Sequence, residues 1–155
     1  MRYQLFREQL IKSDINKVWD FFSSPYNLAK ITPPDMGFTV RSNDVDRPIF
    51  TGMCIDYTVS PLLGIPMKWR TRITQVEPMR SFTDFQERGP YKYWNHFHEF
   101  LVTEDGILVK DTVCYELPLG VLGNVAHALI VEQKLKNIFD YRFDVLEKQF
   151  NLKLK

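Results

Sequence analysis

The first part of the chain changes from strand-like alternation to helical spacing. Apolar and polar residues alternate loosely from Arg2 to Ile11, which predicts a first β-strand. Apolar residues then recur at helical spacing from Ile15 to Phe22, which predicts a short helix capped by Ser13. Pro25 opens a second short helix, because the first turn of a helix has no use for the N–H that proline lacks.

The middle of the chain predicts strands. The segments Phe38 to Arg41 and Met53 to Val59 predict two of them, and an apolar loop with two prolines and a glycine follows at Pro61 to Pro66. We expect this loop to lie at a cavity entrance or a contact surface. Period-two patterns separated by turn residues run from Met67 to Leu117 and predict an antiparallel meander of four long strands.

The last part of the chain, from about Gly120 to Phe150, has helical periodicity. At 1.5 Å per residue, a helix of some 25 residues spans roughly 38 Å, enough to lie along a whole sheet. Its apolar stripe carries one charged residue and consists of Leu135, Ile138, Phe139, Arg142, Leu146 and Phe150. We expect Arg142 to pair with a carboxylate, to reach outward to solvent or to anchor an acidic group of a ligand, the first being favoured.

Composition narrows the class of protein. The 155 residues are 45% hydrophobic and 25% charged, which excludes disorder as a description of the chain and predicts a single domain over residues 1–155. A net charge of +1 argues against a nucleic-acid partner. No apolar run approaches the roughly 20 residues of a transmembrane segment, and the chain does not begin like a signal peptide, so we expect a cytoplasmic protein.

Two residue types add to this picture. Cys54 and Cys114 are too few for a disulfide scaffold and lack metal-ligand spacing, so we interpret them as reduced core residues. Aromatic residues make up 14% of the chain, with twelve Phe, seven Tyr and three Trp. So many rings predict an interior with large flat walls.

Several segments together resemble the helix-grip fold of the SRPBCC superfamily, which includes START lipid-transfer domains, polyketide cyclases/dehydrases and birch-pollen-type allergens. Two runs, Ile31 to Pro34 and Gly89 to Tyr91 with Trp94, are most similar to an uncharacterised bacterial branch. The segments that carry the resemblance are Ile15 to Phe22, Pro25 to Pro34, Pro61 to Thr71, Phe82 to Trp94, His96, His98 and Tyr141-Arg142.

The resemblance covers essentially the whole chain and implies an α+β architecture. A curved antiparallel sheet of about seven strands would wrap around a long C-terminal helix, with two short helices after the first strand. A cavity between sheet and helix would hold a small hydrophobic molecule: a lipid, a polyketide or an aromatic metabolite. The resemblance implies no cofactor, and we expect a monomer or a weak homodimer. Superfamily members range from passive carriers to enzymes, so the activity stays open.

The register of the last hairpin follows from its turn. Asp105-Gly106 is a strong two-residue hairpin signal, which predicts that Glu104 pairs with Ile107. By the same register, Phe100 lies opposite Asp111 and His98 lies opposite Val113.

The preceding hairpin, at Gly89-Pro90, predicts that Asp84 lies opposite His96 and Phe82 opposite His98. Cross-strand neighbours have Cβ atoms about 4.5–5.5 Å apart, so we predict a His96–Asp84 pair that matters more to binding than to folding. The face that these registers turn inward combines aromatic and ionisable residues: Phe82, Asp84, Gln86, Trp94, His96, His98, Phe100, Asp111, Val113 and Tyr115.

The buried ionisable groups have three interpretations. They form a structural network that sets the register of the sheet, or a polar end of an apolar pocket that orients a ligand, and both can hold together. An enzyme is the alternative, with His96 or His98 as general acid/base beside Asp84 or Asp111. The predicted ligand-binding residues are Tyr57, Trp69, Phe82, Asp84, Gln86, Trp94, His96, His98, Phe100, Asp111, Tyr115, Phe139 and Arg142.

A metal is the least favoured interpretation. His96 and His98 share one face of a strand, roughly 6.6 Å apart, and Asp84 or Asp111 could add an oxygen ligand. This face carries no third histidine and no cysteine, since Cys114 points outward. We therefore predict no metal site here.

Overall fold

The computed structural model describes residues 1–43, 45–61, 64–118, 125 and 130–152. Most element boundaries agree with the predictions from the sequence. The elements are β1 (Arg2–Ile11), α1 (Ile15–Phe22), α2 (Pro25–Lys30), a 3-10 turn (Pro34–Met36), β2 (Thr39–Val40), β3 (Cys54–Val59), β4 (Met67–Glu77), β5 (Ser81–Arg88), β6 (Tyr93–Thr103), β7 (Gly106–Glu116) and α3 (Glu132–Leu146), which continues as a π-helical turn (Glu147–Asn151).

The seven strands form one antiparallel sheet in the order β1-β7-β6-β5-β4-β3-β2. The β4–β5 pairing has two register shifts, at Arg70/Thr71 and Ile73/Gln75. Helix α3 packs Leu135 and Phe139 against the inner face of the sheet. This arrangement confirms the predicted α+β helix-grip fold.

The N-cap of α1 differs from the prediction. The cap is Asp14, whose Oδ1 accepts a hydrogen bond from the Lys17 backbone N–H at 3.0 Å, rather than Ser13. Both residue types cap helices well, but the helix begins one residue later than a cap at Ser13 would place it. The predicted start of the C-terminal helix, with Gly120 and Gly123, lies outside the described residues.

The β6–β7 register is two residues away from the prediction. Thr103 pairs with Gly106, so the turn consists of Glu104 and Asp105. Gly106 has a φ of 137°, and a Cβ at this position would lie 2.3 Å from the Ile11 carbonyl oxygen. Glycine is therefore required as the first residue of β7 rather than as the second turn residue.

The correct register brings His98 opposite Asp111, His96 opposite Val113 and Phe100 opposite Val109. A shift of two residues leaves every side chain on its predicted face, because side chains along a strand alternate with a period of two. The predicted β5–β6 register, with Asp84 opposite His96 and Phe82 opposite His98, is confirmed.

The inner face of the sheet holds two hydrophobic clusters. One packs Trp19 of α1 against Phe82 and Phe100, and the other packs α3 against Trp94 and Val113. Both cysteines are free, but Cys54 is exposed, so its assignment to the core was wrong. The helices in the described part of the chain are too short or too polar to cross a membrane.

Candidate functional site

A cavity of about 390 Å³ lies between the inner face of the sheet and the helices. Strands β3 to β6 supply one wall, and α1, α2 and α3 supply the other. The predicted site residues that line it are Tyr57, Trp69, Phe82, Asp84, Trp94, His96, His98, Phe139 and Arg142.

Two predicted residues are held in packing beside the cavity instead of lining it. Phe100 is covered by the edges of the Trp19 and Phe22 rings, at centroid distances of 5.6 and 5.2 Å. Tyr115 packs against the Tyr3 ring at 5.6 Å. Both residues are buried on the predicted face, but neighbouring rings cover them, and their inclusion as lining residues was wrong.

The side chains of Gln86 and Asp111 hydrogen-bond other residues of the protein and do not line the cavity. The Gln86 side chain donates to the Tyr91 carbonyl at 2.7 Å and accepts from the Tyr91 N–H at 3.3 Å, which closes the β5–β6 hairpin. Asp111 is not in the cavity lining, and its partners His96 and Arg142 are. Neither residue lines the cavity as predicted.

Aromatic rings form one end of the cavity wall. Trp69 and Trp94 meet edge to face at a centroid distance of 5.4 Å, and Tyr91 lies 4.7 Å from Trp94. The edge-to-face geometry of Trp69 and Trp94 is a preferred one for aromatic pairs, and Tyr91 is tilted against Trp94. The wall is aromatic, as the composition predicted, but its rings stand at steep angles to one another instead of forming a flat surface.

A small polar group interrupts that wall. The Trp69 Nε1–H donates to Thr71 Oγ1 at 3.0 Å, and the Tyr57 hydroxyl shares a short hydrogen bond with the same oxygen. Burial raises the pKa of Tyr57 far above its ordinary value, and the charge of Asp84 acts in the same direction. Tyr57 therefore stays a neutral phenol.

Five ionisable residues form what we term the inner polar cluster: Asp84, His96, His98, Asp111 and Arg142. Both imidazoles lie between the two carboxylates, with ring centroids 3.7 Å apart. His98 Nε2 is 2.8 Å from Asp84 Oδ2, and His96 Nε2 is 2.9 Å from Asp111 Oδ1. Four of the five residues are buried, Asp84 is half-buried, and Phe82 stacks on the His98 ring at 4.0 Å.

The predicted His96–Asp84 pair is only partly correct. The two residues are cross-strand partners, but His96 Nδ1 lies 3.6 Å from Asp84 Oδ2, beyond hydrogen-bonding distance. Asp84 instead accepts a hydrogen bond from His98, on the same inner face of β6, and His96 donates to Asp111 on the neighbouring strand β7. The reason is the two-residue shift in register, which places Asp111 within reach of both rings.

Arg142 completes the cluster from α3. Its Nη2 donates to Asp111 Oδ1 at 3.1 Å, which confirms the favoured prediction of a carboxylate partner. Its guanidinium also lies over the Phe22 and Phe139 rings, at 5.2 and 5.6 Å from their centroids. Helix and sheet are thus joined by one buried ion pair.

The carboxylates of the cluster remain ionised. Burial acts to raise the pKa of Asp111, but the Arg142 charge and the hydrogen bond with His96 outweigh it and hold that pKa well below its usual range. Burial also opposes ionisation of Asp84, yet the hydrogen bond with His98 keeps the pKa of Asp84 below its usual value.

The two histidines have pKa values displaced in opposite directions. Burial lowers the pKa of His96, and the neighbouring His98 lowers it further. Burial would also lower the pKa of His98, but contact with both Asp111 and Asp84 outweighs burial and raises it. Of the two rings, His98 is therefore the one that binds a proton more readily.

Sequence reasoning missed the lining contributed by the N-terminal helices. Phe21, Phe22 and Leu28 of α1 and α2 reach the cavity. Helical spacing marked Phe22 as apolar but gave no signal that distinguishes packing from lining. Thr71 was also missed, although its position between Trp69 and Ile73 in the β4 alternation placed it on the inner face.

The apolar loop after β3 is described in part. Pro61 lines the cavity, and Ile65 is exposed, whereas Leu62 and Leu63 lie outside the described residues. The predicted position of this loop at an entrance stays a prediction.

Comparisons with known proteins agree with the fold. No protein-family model and no curated protein matches the sequence. Similar solved structures include the Zhui aromatase/cyclase from a Streptomyces species, with a TM-score of 0.73, 12% identity and coverage of 96% of this chain and 93% of that one. Protein CV1439 from Chromobacterium violaceum has a TM-score of 0.70, 13% identity and coverage of 95% and 96%.

Ginseng major latex-like protein 151 from Panax ginseng is also similar, with a TM-score of 0.67, 16% identity and coverage of 97% of this chain and 98% of that one. Identities this low establish a shared fold alone. The helix-grip fold that the resemblance implied is thereby confirmed along nearly the whole chain.

Proposed function

We propose that this protein binds a small hydrophobic molecule, such as a lipid, a polyketide or an aromatic metabolite, in the cavity between the sheet and α3. The observation that carries the proposal is the cavity itself, about 390 Å³ in volume and walled mainly by apolar side chains. Ligand sites of small molecules commonly occupy ~300–1,000 Å³, whereas voids in a well-packed core rarely exceed a water molecule.

The polar groups in the wall support a ligand with one polar end. Asp84, His96, His98 and Arg142 all line the cavity, although each is mostly buried. Asp84 Oδ2 faces the histidines. Its second oxygen has no hydrogen-bond partner among the described residues and is an acceptor for a hydroxyl or N–H of a ligand.

Occupancy of the cavity is tested by filling it. Ile138→Trp places a large side chain on the cavity side of α3, and Asn137→Trp places the same side chain on the exposed side of that helix as a matched control. Titration with 1-anilinonaphthalene-8-sulfonate should give saturable binding to the wild type and to Asn137→Trp, and at least about tenfold weaker binding to Ile138→Trp. Equal affinities would place the probe outside the cavity and contradict the proposal.

The natural ligand is sought by native mass spectrometry of protein purified from its own host. A retained small molecule supports binding. In the orienting role, Asp84→Asn and His96→Gln weaken retention while melting remains near that of the wild type. If both variants instead melt early, through a loss of about 1–3 kcal/mol from a broken buried network, the cluster is structural.

The second candidate is an enzyme of the cyclase/dehydratase kind without a cofactor. It is favoured by one observation: the hydrogen-bonded His98–Asp84 pair lines the cavity, so an imidazole with a carboxylate partner is available as a general acid/base. The ligands extracted from wild-type and Asp84→Asn protein made in the same host discriminate the two roles. A carrier yields the same molecule from both, whereas an enzyme yields an unreacted precursor from the variant.

A further inference from the structure

One nitrogen of the inner polar cluster, His96 Nδ1, faces the Asp84 carboxylate without a hydrogen bond between them. Asp111 Oδ1 accepts from Arg142 and from His96 Nε2, so the His96 ring hydrogen lies at Nε2. His96 Nδ1 then presents a lone pair on the side of Asp84, 3.6 Å from the carboxylate oxygen Oδ2. No hydrogen bond reaches that nitrogen from the described residues. Two electron-pair donors thus face each other at the cavity wall.

We propose that Asp84, His96 and His98 form a binding site for a divalent transition-metal ion, of the class of Zn²⁺ or Co²⁺. One donor atom from each residue lies within 4.8 Å of the others. Two separations, 2.8 Å from Asp84 Oδ2 to His98 Nε2 and 3.6 Å to His96 Nδ1, bracket the roughly 3.4 Å between ligands of a tetrahedral ion with 2.1 Å bonds. The ion would replace the hydrogen that His98 shares with Asp84, which leaves as a proton.

The surroundings of the three donors fit such a site. Metal-binding histidines usually donate their other ring N–H to a carboxylate, which orients the ring. Asp111 is placed for this role towards both rings, because its Oδ1 lies 2.9 Å from His96 Nε2 and 3.0 Å from His98 Nδ1. The latter nitrogen is buried and has no hydrogen bond at the present ring angle. Arg142 in turn holds Asp111 in place and offsets its charge.

The sequence predicted no metal here because the inner face has no third histidine and no cysteine. The structure favours a metal site because it brings two histidines and one carboxylate together, and these are a common ligand set for iron, cobalt and zinc. All three ligand residues line the cavity, so a bound ion would be reachable from it. This inference does not depend on which hydrophobic molecule the cavity holds.

The test is a titration of the metal-free full chain with Zn²⁺ by calorimetry and with Co²⁺ by visible absorption. We expect one ion per chain, a micromolar or tighter dissociation constant, and Co²⁺ bands of nitrogen and oxygen ligands without thiolate charge transfer. Removing even a residue that hydrogen-bonds a metal ligand costs about 10–100-fold in affinity. Asp84→Asn and His98→Gln change the ligands themselves and should therefore weaken binding by at least about 100-fold. Cys54→Ser and Asp56→Asn, at exposed positions, are the matched controls and should leave affinity unchanged.

Absence of binding to the wild type overturns the proposal, as does binding that Cys54→Ser abolishes and Asp84→Asn leaves intact. Should the cluster variants fail to fold, the wild type still decides the matter through the ring nitrogen signals of its three histidines. Zn²⁺ should displace the signals of His96 Nδ1 and His98 Nε2. If Zn²⁺ moves the signals of His127 alone, the proposal is wrong. A negative result leaves the hydrophobic cavity and the 1-anilinonaphthalene-8-sulfonate titration untouched.

Discussion

The two faces of the sheet hold ion pairs of similar chemistry in opposite surroundings. On the outer face, Arg70 of β4 makes two hydrogen bonds to Asp56 of β3, at 2.8 and 2.7 Å. On the inner face, Arg142 makes one hydrogen bond to Asp111, at 3.1 Å. The outer side chains are 48% and 43% exposed, and the inner ones 7% and 9%. The pair with the better geometry is therefore the one that water screens.

This difference indicates that location, and not hydrogen-bond geometry, decides how much each pair matters. The charges of an exposed pair are well solvated in the unfolded chain and remain in contact with water in the folded protein, so their pairing contributes little to the free energy of folding. A buried charge that loses its partner has neither water nor a counter-charge, so breaking the pair is costly even where forming it brought little gain. Four variants or measurements sharpen this comparison.

Arg142→Met should have the largest effect. The methionine fills most of the arginine volume but leaves the buried Asp111 carboxylate with the histidines alone and without the arginine charge, so we expect a loss of about 3–5 kcal/mol in the free energy of unfolding. Urea denaturation measures this loss. Arg142→Lys is the control, since it keeps a charge, and should lose less. A loss below about 1 kcal/mol for Arg142→Met would show that the inner pair behaves like an exposed one.

Thr71→Val should have the next largest effect. Thr71 lies between two outward arginines of β4, but its own hydroxyl is buried and bridges Tyr57 and Trp69. Valine keeps the shape and removes the oxygen, which leaves the buried Tyr57 hydroxyl and the half-buried Trp69 N–H without their partner, so we expect a loss of about 1–3 kcal/mol. The comparison with Thr74→Val, at an exposed position of the same strand, isolates burial. Equal losses in both variants would contradict the role assigned to the bridge.

The two histidines should titrate on opposite sides of their ordinary pKa of 6.5. His98, with its raised pKa, contributes stability that is present below pH 6.5 and is lost as pH rises through that pKa. His96, with its lowered pKa, binds a proton less readily when folded, so its contribution is present above pH 6.5 and falls as pH drops. The two contributions act on opposite sides of pH 6.5, so the stability that the pair contributes should be greatest near pH 6.5 and should decline towards both lower and higher pH.

Nitrogen-15 spectra of the histidine rings between pH 4 and 9 measure these values directly. Two coincident titrations would remove the electrostatic distinction between the inner rings. An Asp84→Asn variant should bring the pKa of His98 down, because it removes one of the two carboxylates that raise it.

Asp56→Asn should have the smallest effect. Its side chain is 43% exposed, and the hydrogen bond from Arg70, together with the charge of that arginine, holds the pKa of Asp56 below its ordinary value. Removing the charge breaks a well-formed pair that water and salt already screen, so the urea midpoint should stay near that of the wild type. A loss as large as that of Arg142→Met would reverse the comparison between the two faces.

The periodicity of the sequence was sufficient to predict which segments form strands and helices and which side chains of each strand point inward. Alternation with a period of two placed His96, His98 and Asp111 on the inner face, and helical spacing put Arg142 on the same side of the molecule. These assignments depend on local spacing alone, so they survived an error in register. The predicted helix-grip fold followed from the order of the elements and from the resemblance that they carry.

Only the tertiary structure decided which of these residues meet. A two-residue slip in the β6–β7 hairpin leaves the hydrophobic pattern unchanged, yet it determines that Asp111 lies beside both histidines. Likewise, Phe82 and Phe100 are both phenylalanines on the inner face of the sheet. The Trp19 and Phe22 rings cover Phe100, whereas Phe82 reaches the cavity. A side chain's face is a local property of the strand, whereas register and covering depend on contacts between segments far apart in the chain, which a periodic pattern does not encode.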